Sequence, residues 1–215
     1  KNCALSLERK VNKMALWGGR FSDGPAEVVF ALSRSVHFDW RLAPYDLRSS
    51  LAHLAILESS GLLNKSDSDS IRRGLHQLQK EVNSGEFLPN SEDEDVHSAL
   101  ERGLTEKLGP IGGSLRAGRS RNDQVTTDLR LYAIDHMQSI AQLIIELQKS
   151  LLAKAREYGD APAPGFTHLQ HAQPVLFGHE LAKHIHSFAR DLERIKDWQV
   201  RSSVSPLGSG ALAGS

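Results

Sequence analysis

From Gln124 to Tyr158 the chain contains neither proline nor glycine, and this uninterrupted stretch constrains the fold more than any other feature. Ala133, Met137, Ile140, Ile144, Leu147, Leu151, Ala155 and Tyr158 recur at steps of three and four, the repeat of one helix face. The stretch predicts a single helix of about 35 residues, roughly 50 Å long. Leu129, Leu131, Ile134, Leu143, Ile145 and Leu152 lie off the main seam, so this helix is apolar on several sides and must be covered on several sides. Helices of that length belong to bundles and oligomer cores.

The residues before it read as shorter helices. Leu47, Leu51, Leu54 and Leu57 share one face and Gly61 is a stop, which predicts a helix over Ala43 to Ser60. Asp67-Ser68-Asp69 can cap a second helix with Ile71, Leu75, Leu78 and Val82 on its buried face, ending near Asn83-Ser84-Gly85. The two form a helical hairpin. A third helix is expected from Glu94 to Leu108, stopped by Gly109-Pro110. The glycine-rich stretch from Gly109 to Gly118 reads as a loop and a domain boundary. Three parts follow: an extension over residues 1–13, expected to be disordered; an N-terminal helical domain over 14–117; and the first part of a central long-helix bundle over 118–215. The fold class is all-α.

Beyond the long helix, Tyr158 to Gly165 is read as loop and a further helix is expected to start near Gln173-Pro174 and to run past Trp198. From Ser202 onward the chain is small, glycine-rich and unhelical. No segment alternates convincingly enough to be read as a strand.

Composition narrows the function. The 26 basic and 26 acidic residues cancel, so no global field draws the chain to nucleic acid or to an anionic membrane, and any anion site must be local. Cys3 is the only cysteine, which excludes an internal disulfide and suits a reducing compartment. The longest apolar runs fall far short of the roughly 20 residues of a membrane span, and a cytoplasmic protein is expected.

Two patterns promise more than their context supports. Gly208-Ser209-Gly210-Ala211-Leu212-Ala213 fits G-x-G-x-x-A, yet a Ser/Pro loop precedes it where a dinucleotide site needs a strand. His179-Glu180 and His184 resemble a zinc-protease motif, but a spacing of five separates the two imidazoles by about 140° around a helix.

Two polar loops remain. Arg119 and Arg121 flank Ser120 just before the long helix, whose first N–H groups and positive dipole end favour an anion. Arginine matches a carboxylate bidentately, and Asn122 adds a donor and an acceptor without charge. The plain alternative is an exposed basic cap paired with Asp123 and Asp128. In Phe166-Thr167-His168-Leu169-Gln170 a hydroxyl, an imidazole and an amide stand together between two helices. Together these loops suggest a site for an acidic small molecule.

Five segments carry a family resemblance: WGGRF (Trp17 to Phe21), SEDEDVHSALE (Ser91 to Glu101), GRSRNDQVTTDLRL (Gly118 to Leu131), GFTHLQHAQP (Gly165 to Pro174) and PLGSGALAG (Pro206 to Gly214). In this order they resemble argininosuccinate lyase, of the fumarase/aspartase superfamily, and GRSRNDQ with THLQ separates it from fumarases and adenylosuccinate lyases. The resemblance implies cofactor-independent, metal-free β-elimination of argininosuccinate to arginine and fumarate in arginine biosynthesis. It puts Ser35, Asn122 and Thr167 on the substrate, His168 in the acid/base apparatus, and Arg121, Asp95 and His97 in or beside the site. It also implies a homotetramer whose active sites are each assembled from three subunits.

Family members run to more than twice this length. Their mobile serine loop, GSS-x-MPQK-x-N, lies downstream of Ser215, and its serine is the favoured proton-abstracting base. The expectation is therefore an N-terminal portion that does not turn over argininosuccinate alone. A noncatalytic structural or assembly protein on the lyase scaffold, as in lens crystallins, and another superfamily lyase are the alternatives.

Overall fold

The computed structural model describes residues 26–214. The expectations for residues 1–13 and for the WGGRF segment lie outside the described residues. The chain divides into two compact units, one ending at Ala117 and the other beginning at Gly118.

The first unit is helical: α1 (Glu27–Ser33), α2 (Val36–Asp39), a 3-10 turn (Trp40–Leu42), α3 (Ala43–Ser59), α4 (Lys65–Ser84), α5 (Val96–Leu108), α6 (Pro110–Gly113) and a second 3-10 turn (Ser114–Arg116). α3 and α4 form the expected hairpin, and α5 packs on both. Leu47, Leu54 and Leu57 of α3 meet the core with Ile71, Leu75 and Leu78 of α4 and Val96, Ala99, Leu100 and Leu104 of α5, all buried. Each fully buried leucine or isoleucine contributes about 1.5–3 kcal/mol relative to exposure.

Caps account for where the boundaries fall. α4 begins before the expected Asp67 cap because Asn64 is the N-cap: its side chain accepts from Asp67 N at 2.9 Å and donates to Asp67 Oδ2 at 2.8 Å. α5 begins at Val96 instead of Glu94 because Asp95 caps it, accepting from Ser98 N at 2.7 Å while the Ser98 hydroxyl accepts from Asp95 N at 3.0 Å. The stretch expected to be an open loop from Gly109 contains α6, started by Pro110 in its first turn, and the second 3-10 turn.

The second unit contains α7 (Arg121–Glu157), β1 (Pro162–Thr167), β2 (Gln170–Leu176) and α8 (Phe177–Ser202). α7 is the long helix, 37 residues, and starts three residues before the expected Gln124 because Ser120 caps it. Contacts step backward along α7 as they step forward along α8, so the pair is antiparallel. A Cβ on Gly178 would lie 2.6 Å from Ala155 O, Gln148 Nε2 donates to Ile185 O at 2.8 Å, and the Arg130 guanidinium donates to Val204 O.

The strands overturn two expectations. β1 and β2 pair antiparallel, with Thr167 opposite Gln170 and Pro164 opposite Pro174, where loop and the start of a helix were expected. Prolines hide such a ribbon from sequence reasoning, yet a two-stranded ladder consists only of edges and tolerates them. Pro174 is therefore a strand residue, and α8 starts at Phe177, where Phe177 N donates to Ala161 O at 2.9 Å and Gly178 N to Tyr158 O at 3.2 Å. These two bonds close the base of the hairpin on the end of α7.

Candidate active site

In the first unit, Ser35, Asp95 and His97 gather at the N-terminal end of α5. Ser35 N and Val36 N donate to Glu94 O at 2.8 and 3.1 Å, which seats the start of α2 on the turn before α5. The Ser35 hydroxyl donates to Asp39 Oδ2 at 2.6 Å, and Val96 N donates to Asp39 Oδ1 at 3.1 Å. Asp39 thus ties Ser35, one of the sequence-predicted residues, to the first residue of α5. Burial, the largest cause, pushes its carboxyl above the ordinary 3.8, and the Asp95 carboxylate adds to this; the Ser35 hydroxyl, His97 and Val96 N–H act the other way. Asp95 serves as the α5 cap. His97 is buried with Nδ1 hydrogen-bonded to Asp46 Oδ2, and the Ser50 hydroxyl donates to Asp46 Oδ1 at 3.1 Å.

The turn carrying this cluster is itself fastened. Asp93 is buried and takes a bidentate pair from Arg102, Nε to Oδ1 at 3.0 Å and Nη2 to Oδ2 at 2.8 Å, and Arg34 Nε donates to Asp93 O at 3.0 Å. Asp39, Asp46 and Asp93 were not singled out in the sequence. For Asp39 the signal was its place four residues after Ser35 on one helical turn; Asp46 and Asp93 carry no local mark.

In the second unit the remaining four candidates form two groups. Arg121 and Asn122 are the first residues of α7, with Asn122 exposed and its N–H donating to Ser120 Oγ at 3.2 Å. Thr167 and His168 sit at the tip of the hairpin, Thr167 Oγ1 and His168 Nδ1 being 2.9 Å apart. The turn is two residues long and both are left-handed, His168 at φ 52° and Leu169 at φ 61°. This conformation costs non-glycine residues roughly 1–2 kcal/mol each, and such strain clusters at functional sites.

The two groups do not meet within one chain. α7 spans about 55 Å and the hairpin at its far end reaches at most about 20 Å. The His168 tip therefore stands roughly 30 Å or more from Asn122. An imidazole beside a hydroxyl can hold and move a proton, and an exposed amide beside an arginine at a helix N-terminus can bind a carboxylate. Gly208 to Ala213 follows α8 and lies in turns, so the G-x-G-x-x-A pattern lacks the strand a dinucleotide site requires.

The mostly helical scaffold with one very long helix is shared with solved lyases. EDDS lyase in complex with formate superposes with a TM-score of 0.71 over 86% of this chain and 36% of its own, at 26% identity. Fumarate lyase:delta crystallin from Brucella melitensis shares the fold, with a TM-score of 0.69 over 85% of this chain and 44% of its own, at 18% identity. The chain belongs to the lyase family, whose profile, described as Lyase, matches residues 19–215. It is 56% identical to the argininosuccinate lyase of Frankia casuarinae over 202 residues, and 56% identical to that of Acidothermus cellulolyticus over 200. These alignments cover 94% and 93% of this chain but only 44% and 41% of those relatives. No helix among the described residues is long and apolar enough to cross a membrane.

Proposed function

We propose that this chain is the N-terminal part of a cytoplasmic argininosuccinate lyase of arginine biosynthesis, and that it contributes substrate-binding and acid/base groups to a β-elimination. In this reading the unit ending at Ala117 is the N-terminal domain and the unit from Gly118 is the first part of the long-helix bundle. A base removes a proton from the carbon next to a substrate carboxylate. The C–H pair becomes the C=C bond of fumarate, and the guanidino nitrogen leaves with the C–N pair and takes up a proton to give arginine. Negative charge accumulates on the carboxylate before the nitrogen leaves, and hydrogen-bond donors aimed at that carboxylate stabilise it. Asn122 and Arg121 at the dipole end of α7 supply such donors, with Ser35 and Thr167 as further substrate contacts, His168 as the acid/base group, and Asp95 and His97 beside the site.

The separation of Asn122 from His168 within the second unit carries this reading. Side chains at opposite ends of a 37-residue helix serve one substrate only when several copies bring unlike ends together. A homotetramer with shared active sites does so.

The test mixes the purified chain with the C-terminal part of the Frankia casuarinae relative and follows fumarate by its ultraviolet absorbance. Fumarate release from argininosuccinate only when both parts are present is the expected result. A stable complex of the two parts that releases none would overturn the reading in favour of a noncatalytic scaffold; release from adenylosuccinate instead would assign another lyase.

A further inference from the structure

Asp123 follows the Asn122 carboxylate-binding candidate directly, yet the residue is only 4% exposed. Oδ1 accepts from Ser120 N at 3.2 Å, closing the capping box at the start of α7. Oδ2 is used for something no cap requires: it accepts from Gly208 N at 3.1 Å and Gly210 N at 2.8 Å, residues 85 and 87 positions further along the chain. α8 runs back along α7 and delivers the glycine-rich segment to the helix N-terminus, where the two N–H groups converge on one oxygen. Gly208 at φ 100° and Gly210 at φ 65° are both in the left-handed region, which explains why glycine stands at each.

We infer that Asp123 is a positioning residue: its carboxylate fastens the segment Pro206 to Gly214 to the N-terminus of α7 and so fixes the turn that presents Arg121 and Asn122. The inference rests on the reading of Asn122 as a substrate contact. A carboxylate suits the place because it only accepts hydrogen bonds and has lone pairs on both oxygens, whereas an Asn would turn an NH₂ toward one set of N–H donors. The glycine segment is then an anion-binding nest whose anion is internal. Its G-x-G-x-x-A pattern serves the protein's own carboxylate in place of a pyrophosphate.

The test uses the 215-residue chain and amide exchange measured by NMR. In the wild type the Gly208 and Gly210 amides should be protected. Asp123→Gly should speed their exchange about tenfold or more while the Ile144 amide in the middle of α7 stays slow. Sodium formate should restore the protection and sodium chloride at equal ionic strength should not, an outcome that a generic packing role would not produce. Should Asp123→Gly lose the slow α7 amides, Asp123→Asn is the second variant, expected to expose the same two glycines with α7 intact. Wild-type glycine amides exchanging at unstructured rates, or amides indifferent to both variants, would overturn the inference.

A kinetic arm separates it from the reading beneath it. In the mixture with the C-terminal part of the relative, Asp123→Asn should raise KM for argininosuccinate by about tenfold, with a smaller fall in kcat. An unchanged KM overturns the positioning role. If the wild-type mixture itself releases no fumarate, the lyase reading fails, and the exchange and formate measurements alone decide whether Asp123 fastens the glycine segment.

Discussion

Asn122 and Asp39 illustrate how differently two polar residues come to matter. Asn122 is exposed at the dipole end of α7, so removing its amide leaves the fold alone and, in the proposed elimination, subtracts one donor from a developing carboxylate charge. Asn122→Ala in the complemented enzyme should cost about 1.5–3 kcal/mol of transition-state stabilisation, roughly ten- to hundredfold in kcat/KM. Unchanged kinetics in a folded variant would remove Asn122 from the site. Asp39 is half-buried and its folded pKa lies above the ordinary 3.8, chiefly through burial. Between 3.8 and that raised value the native state binds more protons than the unfolded state, so stability falls as pH rises through the window. Urea titrations should show this slope in the wild type and a flatter profile in Asp39→Asn; equal slopes would mean that the carboxyl does not titrate as its surroundings dictate.

The hairpin and its junction with the long helices are the elements on which the His168 placement depends. At the junction a Cβ on Gly178 would lie 2.6 Å from Ala155 O and 2.8 Å from Gly159 Cα, both backbone atoms that no rotamer change can move. Gly178→Ala should therefore destabilise the chain by about 1–3 kcal/mol, read as a lower urea midpoint. At the tip, Leu169 is 96% exposed and left-handed, so its side chain gives the isolated chain no packing in return for the strain. Leu169→Asn should slow amide exchange at Thr167 and Gln170 by relieving up to ~1 kcal/mol, because asparagine tolerates this conformation better. Faster exchange in the variant would mean that Leu169 stabilises the turn by a contact of its own.

At the scale of the whole molecule, α7 leaves an apolar stripe uncovered. Leu143 is 64% exposed, Leu147 44% and Ile140 43%, spaced by three and four along one face. Burying three such side chains against another copy is worth several kcal/mol of gross association energy, at about 25 cal/mol per Å². Sedimentation velocity at micromolar concentration should show species larger than a monomer, and Leu143→Glu with Leu147→Glu should shift them to monomer. A wild-type chain that stays monomeric would count against a shared-site assembly built from this part alone.

The sequence by itself determined the long helix, the α3–α4 hairpin and the two polar groups, because helix period, caps and side-chain chemistry are properties of neighbours along the chain. Gly85 could be read as punctuation for the same reason, whereas the caps Asp95 and Ser120 set the starts of α5 and α7 away from the expected Glu94 and Gln124. Tertiary structure decided the β-hairpin, whose prolines and Leu169 turn contradict local preference and are held by pairing across strands and by the closure of Ala161 on Phe177. It alone decided that Asp39 joins Ser35 to Val96 and that Asp123 receives Gly208 and Gly210, since these partners lie 57, 85 and 87 positions apart. A buried carboxylate takes whichever N–H groups the packed helices bring to it, and no local pattern encodes which those will be.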